Sequence, residues 1–246
     1  MSATKRLVLI HGFTERPSMW DALISEIQND SIAISTPSIP GHGTQPQIPA
    51  ELTAEAYCRA IIDQLPDDEL PWIVVGHSMG GYLASTLVTL VPHRIAGLGF
   101  FHSKAGADSA SKIEDRKRAI AAARQNRELY LGTMLRNTLA DCNVERCATE
   151  LSAMIAEAQQ DISSDCIEAA HTVMIERPDN VEHLRHVSYP VYYFLGRNDK
   201  SIPLEQLTDE LQALSNARVT VVENTGHMGQ VEAHKEALAW FKQLIA

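Results

Sequence analysis

The sequence predicts an α/β fold: a mostly parallel, doubly wound sheet with a block of helices inserted into it. Three observations carry that prediction. Short apolar runs rich in β-branched residues alternate with segments whose apolar residues recur at helical spacing, the pattern of strands joined by crossover helices. Each run stops at a cluster of glycine, histidine or polar residues, the composition of loops beyond strand ends. Between residues 104 and 185 the strand signal vanishes and alanine-rich helical pattern replaces it.

Taken in order, residues 6–10 form a buried strand closed by His11-Gly12-Phe13. Residues 17–27 follow as a helix, with Pro17 suited to its first turn and Met19, Trp20, Leu23, Ile24 and Ile27 on its apolar side. A strand at 31–36 leads into the turn-rich Pro40-Gly41-His42-Gly43, and a helix at 53–65 has Thr53 able to cap it. The run Trp72-Ile73-Val74-Val75 ends at Gly76-His77-Ser78-Met79-Gly80-Gly81, after which small and apolar residues continue as a helix to about Val91. Another strand, 95–101, ends at His102-Ser103. Helices are expected at 111–131, 143–160 and 164–175. The strand pattern resumes at 189–195, ending in Gly196-Arg197-Asn198-Asp199. A helix at 204–214, a strand at 217–222, Thr225-Gly226-His227 and a helix at 231–245 complete the chain. The division this implies is a core of 1–103 and 186–246 with a helical cap insertion at 104–185.

With 246 residues, 45% apolar and 21% charged, the chain has the composition of a globular protein, which excludes disorder and fibres. A formal net charge of -10 argues against nucleic acid as a partner. The one basic cluster, 112–127, is interspersed with acids and alanines and reads as a solvated helix face. No apolar run approaches the roughly 18 residues of a membrane span. The first apolar segment ends too soon for a secretory signal, so the expectation is a cytoplasmic protein. Cys58, Cys142, Cys147 and Cys166 lack metal-ligand spacing and read as free thiols; neither metal nor cofactor is expected.

The chemistry centres on Ser78. A strand, tight turn and helix around Gly-x-Ser-x-Gly-Gly force the serine into a cramped backbone conformation and project its hydroxyl from the sheet edge. Serine alone is a poor nucleophile, so it needs a base and an acid to orient that base. Asp199 and His227 follow in that order, each just past a later strand. The bland alternatives are a glycine-rich turn without chemistry, a loop acid capping the next helix, and a surface turn histidine.

The motifs His11-Gly12-Phe13, Pro40-Gly41-His42-Gly43, Gly76-His77-Ser78-Met79-Gly80-Gly81, Gly196-Arg197-Asn198-Asp199 and Gly226-His227, in this order and each near a strand end, resemble the α/β-hydrolase superfamily over nearly the whole chain. The resemblance implies that Ser78 is the nucleophile, His227 the general base and then acid, and Asp199 the residue that fixes the imidazole tautomer. It implies an oxyanion hole from the backbone N–H groups of Phe13 and Met79, the latter at a helix N-terminus. The implied activity is a serine hydrolase cleaving a small-molecule carboxylic ester, thioester or lactone. The same scaffold and triad also serve carbon–carbon bond hydrolysis and a pyruvate-eliminating step, and a ligand-binding relative with vestigial catalysis is the alternative outside enzymes. A small acyl substrate is the expected partner, and the chain a monomer or homodimer. His11, Gly12, His102 and Ser103 are the expected pocket residues; Lys104 and Asp108 either line the pocket or anchor the cap. His11, for all its place beside the pocket, reads with His42 and His77 as a loop brace. His93, His171, His183, His186 and His234 read as surface or cap residues.

Overall fold

A computed structural model describes residues 3–246. Six strands, β1 (Lys5–Ile10), β2 (Ile32–Ser35), β3 (Trp72–His77), β4 (Ile95–Phe101), β5 (Val191–Gly196) and β6 (Ala217–Val222), form one sheet in the order β2-β1-β3-β4-β5-β6. Every pairing is parallel, so the expected mostly parallel sheet is parallel throughout. Because strand side chains alternate between faces, one row of register partners, Val8, Val74, Leu98 and Val191, falls on a single face. There it packs against α2 (below) through Tyr57 and Ile61 and against α3 through Leu83 and Leu87. The intervening residues, Leu7, Leu9, Ile73, Val75 and Phe194, face the opposite way and meet Trp20, Leu23, Trp240 and Phe241. The sheet is doubly wound because its central strands, β1, β3, β4 and β5, are buried on both faces and both must be covered.

The helices are α1 (Asp21–Ile27), α2 (Ala54–Ile62), α3 (Met79–Leu90), α4 (Ala110–Gln125), α5 (Arg127–Arg136), α6 (Ala148–Asp161), α7 (Ser164–Glu176), α8 (Val181–Leu184), α9 (Thr208–Ala213), α10 (Gly229–Glu232) and α11 (His234–Ile245). Thr53 Oγ1 accepts the Ala56 N–H at 3.2 Å and caps α2 as its sequence position suggests. Two expected helices are each broken. The stretch 111–131 divides at Asn126, whose extended backbone ends α4 while its Oδ1 accepts the Leu129 N–H at 3.0 Å and starts α5. The last helix divides at Ala233, where φ of -141° interrupts the turn between α10 and α11.

No strand of the sheet lies between β4 and β5 among the described residues; α4 to α7 form a helical insertion with its own apolar cluster, including Leu131, Leu135, Leu151, Ile162 and Ile167. Its root is ionic. Asp108 accepts from both Arg116 and Arg177, and all three side chains are covered, which assigns Asp108 to anchoring and not to the pocket. Lys104 Nζ donates to the Ala107 carbonyl at 3.1 Å within the same loop. All four cysteines are free. No helix among the described residues is long and apolar enough to cross a membrane.

Candidate active site

In a parallel sheet with crossovers on both faces, the loops beyond the carboxyl ends of the strands share one rim. Phe13 follows β1, Ser78 follows β3, His102 follows β4, Asp199 follows β5 and His227 follows β6. Ser78 has φ 50° and ψ -118°, a left-handed conformation that a residue with a Cβ adopts only when its surroundings impose it. The glycines show what imposes it. A Cβ on Gly76 would run into the backbone of Gly80, and one on Gly80 into the carbonyls of Ile10 and His11. The turn is pinned further where Ser78 N–H donates to the Phe101 carbonyl at 3.1 Å and Ser103 Oγ donates to the Ser78 carbonyl at 2.7 Å. Met79 begins α3, so its N–H has no intrahelical partner.

Asp199 and His227 meet directly, Oδ2 to Nδ1 at 2.7 Å. Asp199 Oδ1 accepts the N–H groups of Ser201 and Ile202 at 2.8 and 2.9 Å, which fixes the carboxylate plane. Burial would raise the Asp199 carboxyl, but the neighbouring His227 charge and the hydrogen bonds from His102 and His227 outweigh it and hold it well below the usual carboxylate range. The Asp199 contact occupies His227 Nδ1 and leaves Nε2 available on the other side of the ring. The loop carrying His227 is itself tied down: its N–H donates to the Thr138 carbonyl at 2.6 Å, and Glu232 accepts from both Gly226 and Ala140. The insertion thereby helps hold the histidine.

His102 lies behind this pair. Gly229 N–H donates to its Nε2 at 3.2 Å, so Nδ1 carries the proton and donates to Asp199 Oδ2 at 3.2 Å. Burial pushes its pKa down to about 4, so the ring is neutral near pH 7. His102, Asp199 and His227 bring their polar atoms within 4.8 Å of one another, but the protonated Nδ1 of His102 is a donor there and not a metal ligand. His11 is held the same way, accepting the Ile39 N–H on Nε2 at 3.0 Å and donating from Nδ1 to the Gly12 carbonyl at 2.8 Å.

His77 differs from these. Its Nδ1 faces Glu15 Oε2 at 2.8 Å and its Nε2 faces the His227 carbonyl at 2.9 Å. Both partners only accept, so the ring carries two protons and is an imidazolium. Burial alone would lower its pKa, yet Glu15 raises it above the ordinary value; burial would raise Glu15, yet His77 lowers it. Glu15 Oε2 also accepts the Gly12 N–H at 2.5 Å, so one buried ion pair connects the loop after β1 to the loop of His227.

A cavity of about 230 Å³ opens above these loops, and Ser78, His227 and Phe13 line it. His11, Gly12, His102 and Ser103 do not line it; they brace the loops beneath it, because their polar atoms are spent on neighbouring backbone, on Glu15 or on Asp199. The cavity roof comes from the insertion and includes residues that sequence reading assigns elsewhere. Lys112 and Arg116 turn inward, with Arg116 only 7% exposed, so the basic cluster of α4 is not wholly a solvated face. His171 is likewise buried at the cavity, where its Nε2 and Tyr130 Oη share a hydrogen bond of 2.7 Å, and burial pushes its pKa down to about 3. The spacing of Lys112, Arg116 and Ala119 along one helix stripe is the signal that could have found the first two.

The fold and this rim of strand-end residues define the class of protein. A family model described as "Alpha/beta hydrolase family" matches residues 7–239, and the chain belongs to that family. Among curated proteins it is similar to the pimeloyl-acyl-carrier-protein methyl ester esterase of Aromatoleum aromaticum, 38% identical over 92 residues, 37% of this chain and 34% of that protein. It is also similar to Lipase LipV of Mycobacterium tuberculosis, 35% identical over 102 residues, 39% of this chain and 36% of that protein. The matched stretches thus span about a third of those relatives. Among solved structures, a thermophilic esterase from Thermogutta terrifontis superposes with a TM-score of 0.85 at 22% identity, covering 100% of this chain and 92% of that one. The enol-lactonase from Burkholderia xenovorans superposes with a TM-score of 0.84 at 17% identity, covering 100% and 92%. At these identities the structural likeness speaks for the fold.

Proposed function

We propose that the protein is a serine hydrolase of small carboxylic esters, thioesters or lactones, with Ser78 as nucleophile, His227 as base and acid, and Asp199 as the residue that orients the imidazole. The observation that carries the reading is the buried Asp199 to His227 hydrogen bond of 2.7 Å beside a cavity that His227 shares with the strained Ser78. Ser78 Oγ attacks the carbonyl carbon as His227 Nε2 takes its proton. The developing oxyanion is met by the N–H groups of Met79 and Phe13, each such donor contributing about 3 kcal/mol to the transition state. The alcohol leaves with the proton from His227. Water, deprotonated by the same nitrogen, then attacks the acyl-enzyme and releases the acid. Asp199, ionised throughout, keeps Nδ1 protonated so that Nε2 is the basic nitrogen. The ester chemistry of the curated relatives supports the reaction class, and the cavity's size supports a short substrate.

Covalent labelling with a fluorophosphonate probe, followed by intact mass, tests this. One adduct is expected on the wild type and none on Ser78→Ala. Folded wild-type protein that takes no adduct, or an adduct that persists in Ser78→Ala, overturns it. A panel of nitrophenyl esters of graded acyl length is expected to show activity falling as the acyl chain lengthens.

A further inference from the structure

The stripe of α4 that faces the cavity reads Lys112, Asp115, Arg116, Ala119, spaced as one helical face. A helix packed over a core normally turns apolar residues inward along such a stripe. Here two cations point into the same cavity as Ser78 and His227. A charge under cover is costly unless an opposite charge meets it. The charges nearby do not balance. Asp108 accepts from Arg116 and also from Arg177, one carboxylate for two guanidiniums. Asp115 is mostly exposed and pairs with Arg118 on the solvent side. Among the described residues Lys112 forms no salt bridge, and its Nζ makes a single hydrogen bond, 3.3 Å to the Ser201 carbonyl. An ammonium has three donors, so two remain unspent. Ser201 also lines the cavity, immediately after the Asp199 to Ser201 turn, so this carbonyl holds the lysine head on the side of the catalytic residues. Burial, with Arg116 beside it, pushes the Lys112 ammonium below its ordinary pKa, and the carboxylates of Asp108, Asp115 and Asp199 only partly oppose this.

We infer that the cavity selects an ester whose far end carries a carboxylate, and that Lys112 is the group that meets that carboxylate. The inference rests on the ester-hydrolase reading above and names its substrate class. Arg116, one turn along α4 and held by Asp108, adds positive field without being free to move. The remaining lining, Phe13, Tyr82, Met134 and Met174 among it, suits the short methylene segment between the two carboxyl groups. A cavity of about 230 Å³ has room for a hemiester of a short dicarboxylic acid.

Monomethyl succinate and methyl levulinate test this, because they have the same shape and differ in a carboxylate against a methyl ketone. Methanol release gives kcat/KM for each. The wild type is expected to favour the succinate hemiester at least tenfold. That ratio is expected to fall at least tenfold in Lys112→Met, which keeps the stem's packing, and to be largely restored in Lys112→Arg. Calorimetric titration with succinate gives a readout free of catalysis: binding to the wild type, weakened at least tenfold in Lys112→Met. A wild-type ratio near one, or a ratio unchanged in Lys112→Met, overturns the inference while leaving the ester reading in place. Succinate binding that depends on Lys112, with neither ester hydrolysed and no fluorophosphonate adduct, leaves the ligand class standing and overturns the hydrolase reading.

Discussion

Replacing Glu15 by glutamine breaks the connection between the loop after β1 and the loop of His227. Glu15 Oε2 accepts from Gly12 N–H and from His77 Nδ1, and His77 Nε2 donates to the His227 carbonyl. Glutamine cannot reproduce this set. With its oxygen toward His77, a neutral ring presents a lone pair to one of two acceptors. With its NH₂ there instead, the Gly12 N–H faces another donor. Every arrangement leaves a buried polar group unpaired, at about 1–3 kcal/mol, and a ring that stayed charged without a carboxylate would cost about 3–5 kcal/mol. The expected loss is therefore about 3 kcal/mol, or about 6–12 °C in Tm for a chain of this size. The pH dependence follows from the two directions. Glu15 lies below its ordinary 4.5, so its share of the stability is present above that value and lost as pH falls through the folded-state value. His77 lies above its ordinary 6.5, so its share is full below that value and lost as pH rises through the folded-state value. The gap between wild type and variant is widest between 4.5 and 6.5 and narrows above. Urea unfolding at about pH 5.5 and about pH 8.5 measures it. A variant within about 0.5 kcal/mol of wild type at the lower pH would refute the reasoning, since changes of that size are ordinary for uncoupled surface sites.

Three further outcomes are expected. Asp199→Asn keeps the shape but lets His227 take the wrong tautomer, so kcat falls by about 10⁴ with far less change in KM; a loss below tenfold in steady-state kinetics would remove Asp199 from the proposed triad. Gly80→Ala drives a Cβ into the backbone carbonyls of Ile10 and His11, and thermal unfolding should show a loss of about 3 kcal/mol together with loss of fluorophosphonate labelling. Asp108→Ala strips two buried guanidiniums of their shared carboxylate, at about 3–5 kcal/mol; limited proteolysis should then cut first within the insertion.

The order and kind of elements are legible because each strand carries its own local signal. Val74 and Val75 are β-branched and apolar on both faces, and a doubly covered sheet demands that. Ser78 is legible for a related reason: Gly76 and Gly80 record, in the sequence itself, the close approach of backbone that the turn requires. Asp199 and His227 are legible as candidates because each stands one loop beyond a strand. The breaks at Asn126 and Ala233 are less so, since an interrupted helix keeps nearly the same apolar spacing as a continuous one.

What the sequence determined by itself is whatever short-range periodicity and steric need can write: the alternation of elements, the inserted helices, the turn at Ser78. Which polar groups share a proton or a charge is set instead by how distant segments pack. Glu15 and His77 stand 62 positions apart and pair because β1 and β3 are neighbours in the sheet. Spacing along α4 tells which residues lie on one face, but only the packing of the insertion over the strand ends turns Lys112 and Arg116 toward the cavity. The physical reason is that burying a polar group is tolerable only with a partner, and the partner is chosen by topology, across distances that no local pattern encodes.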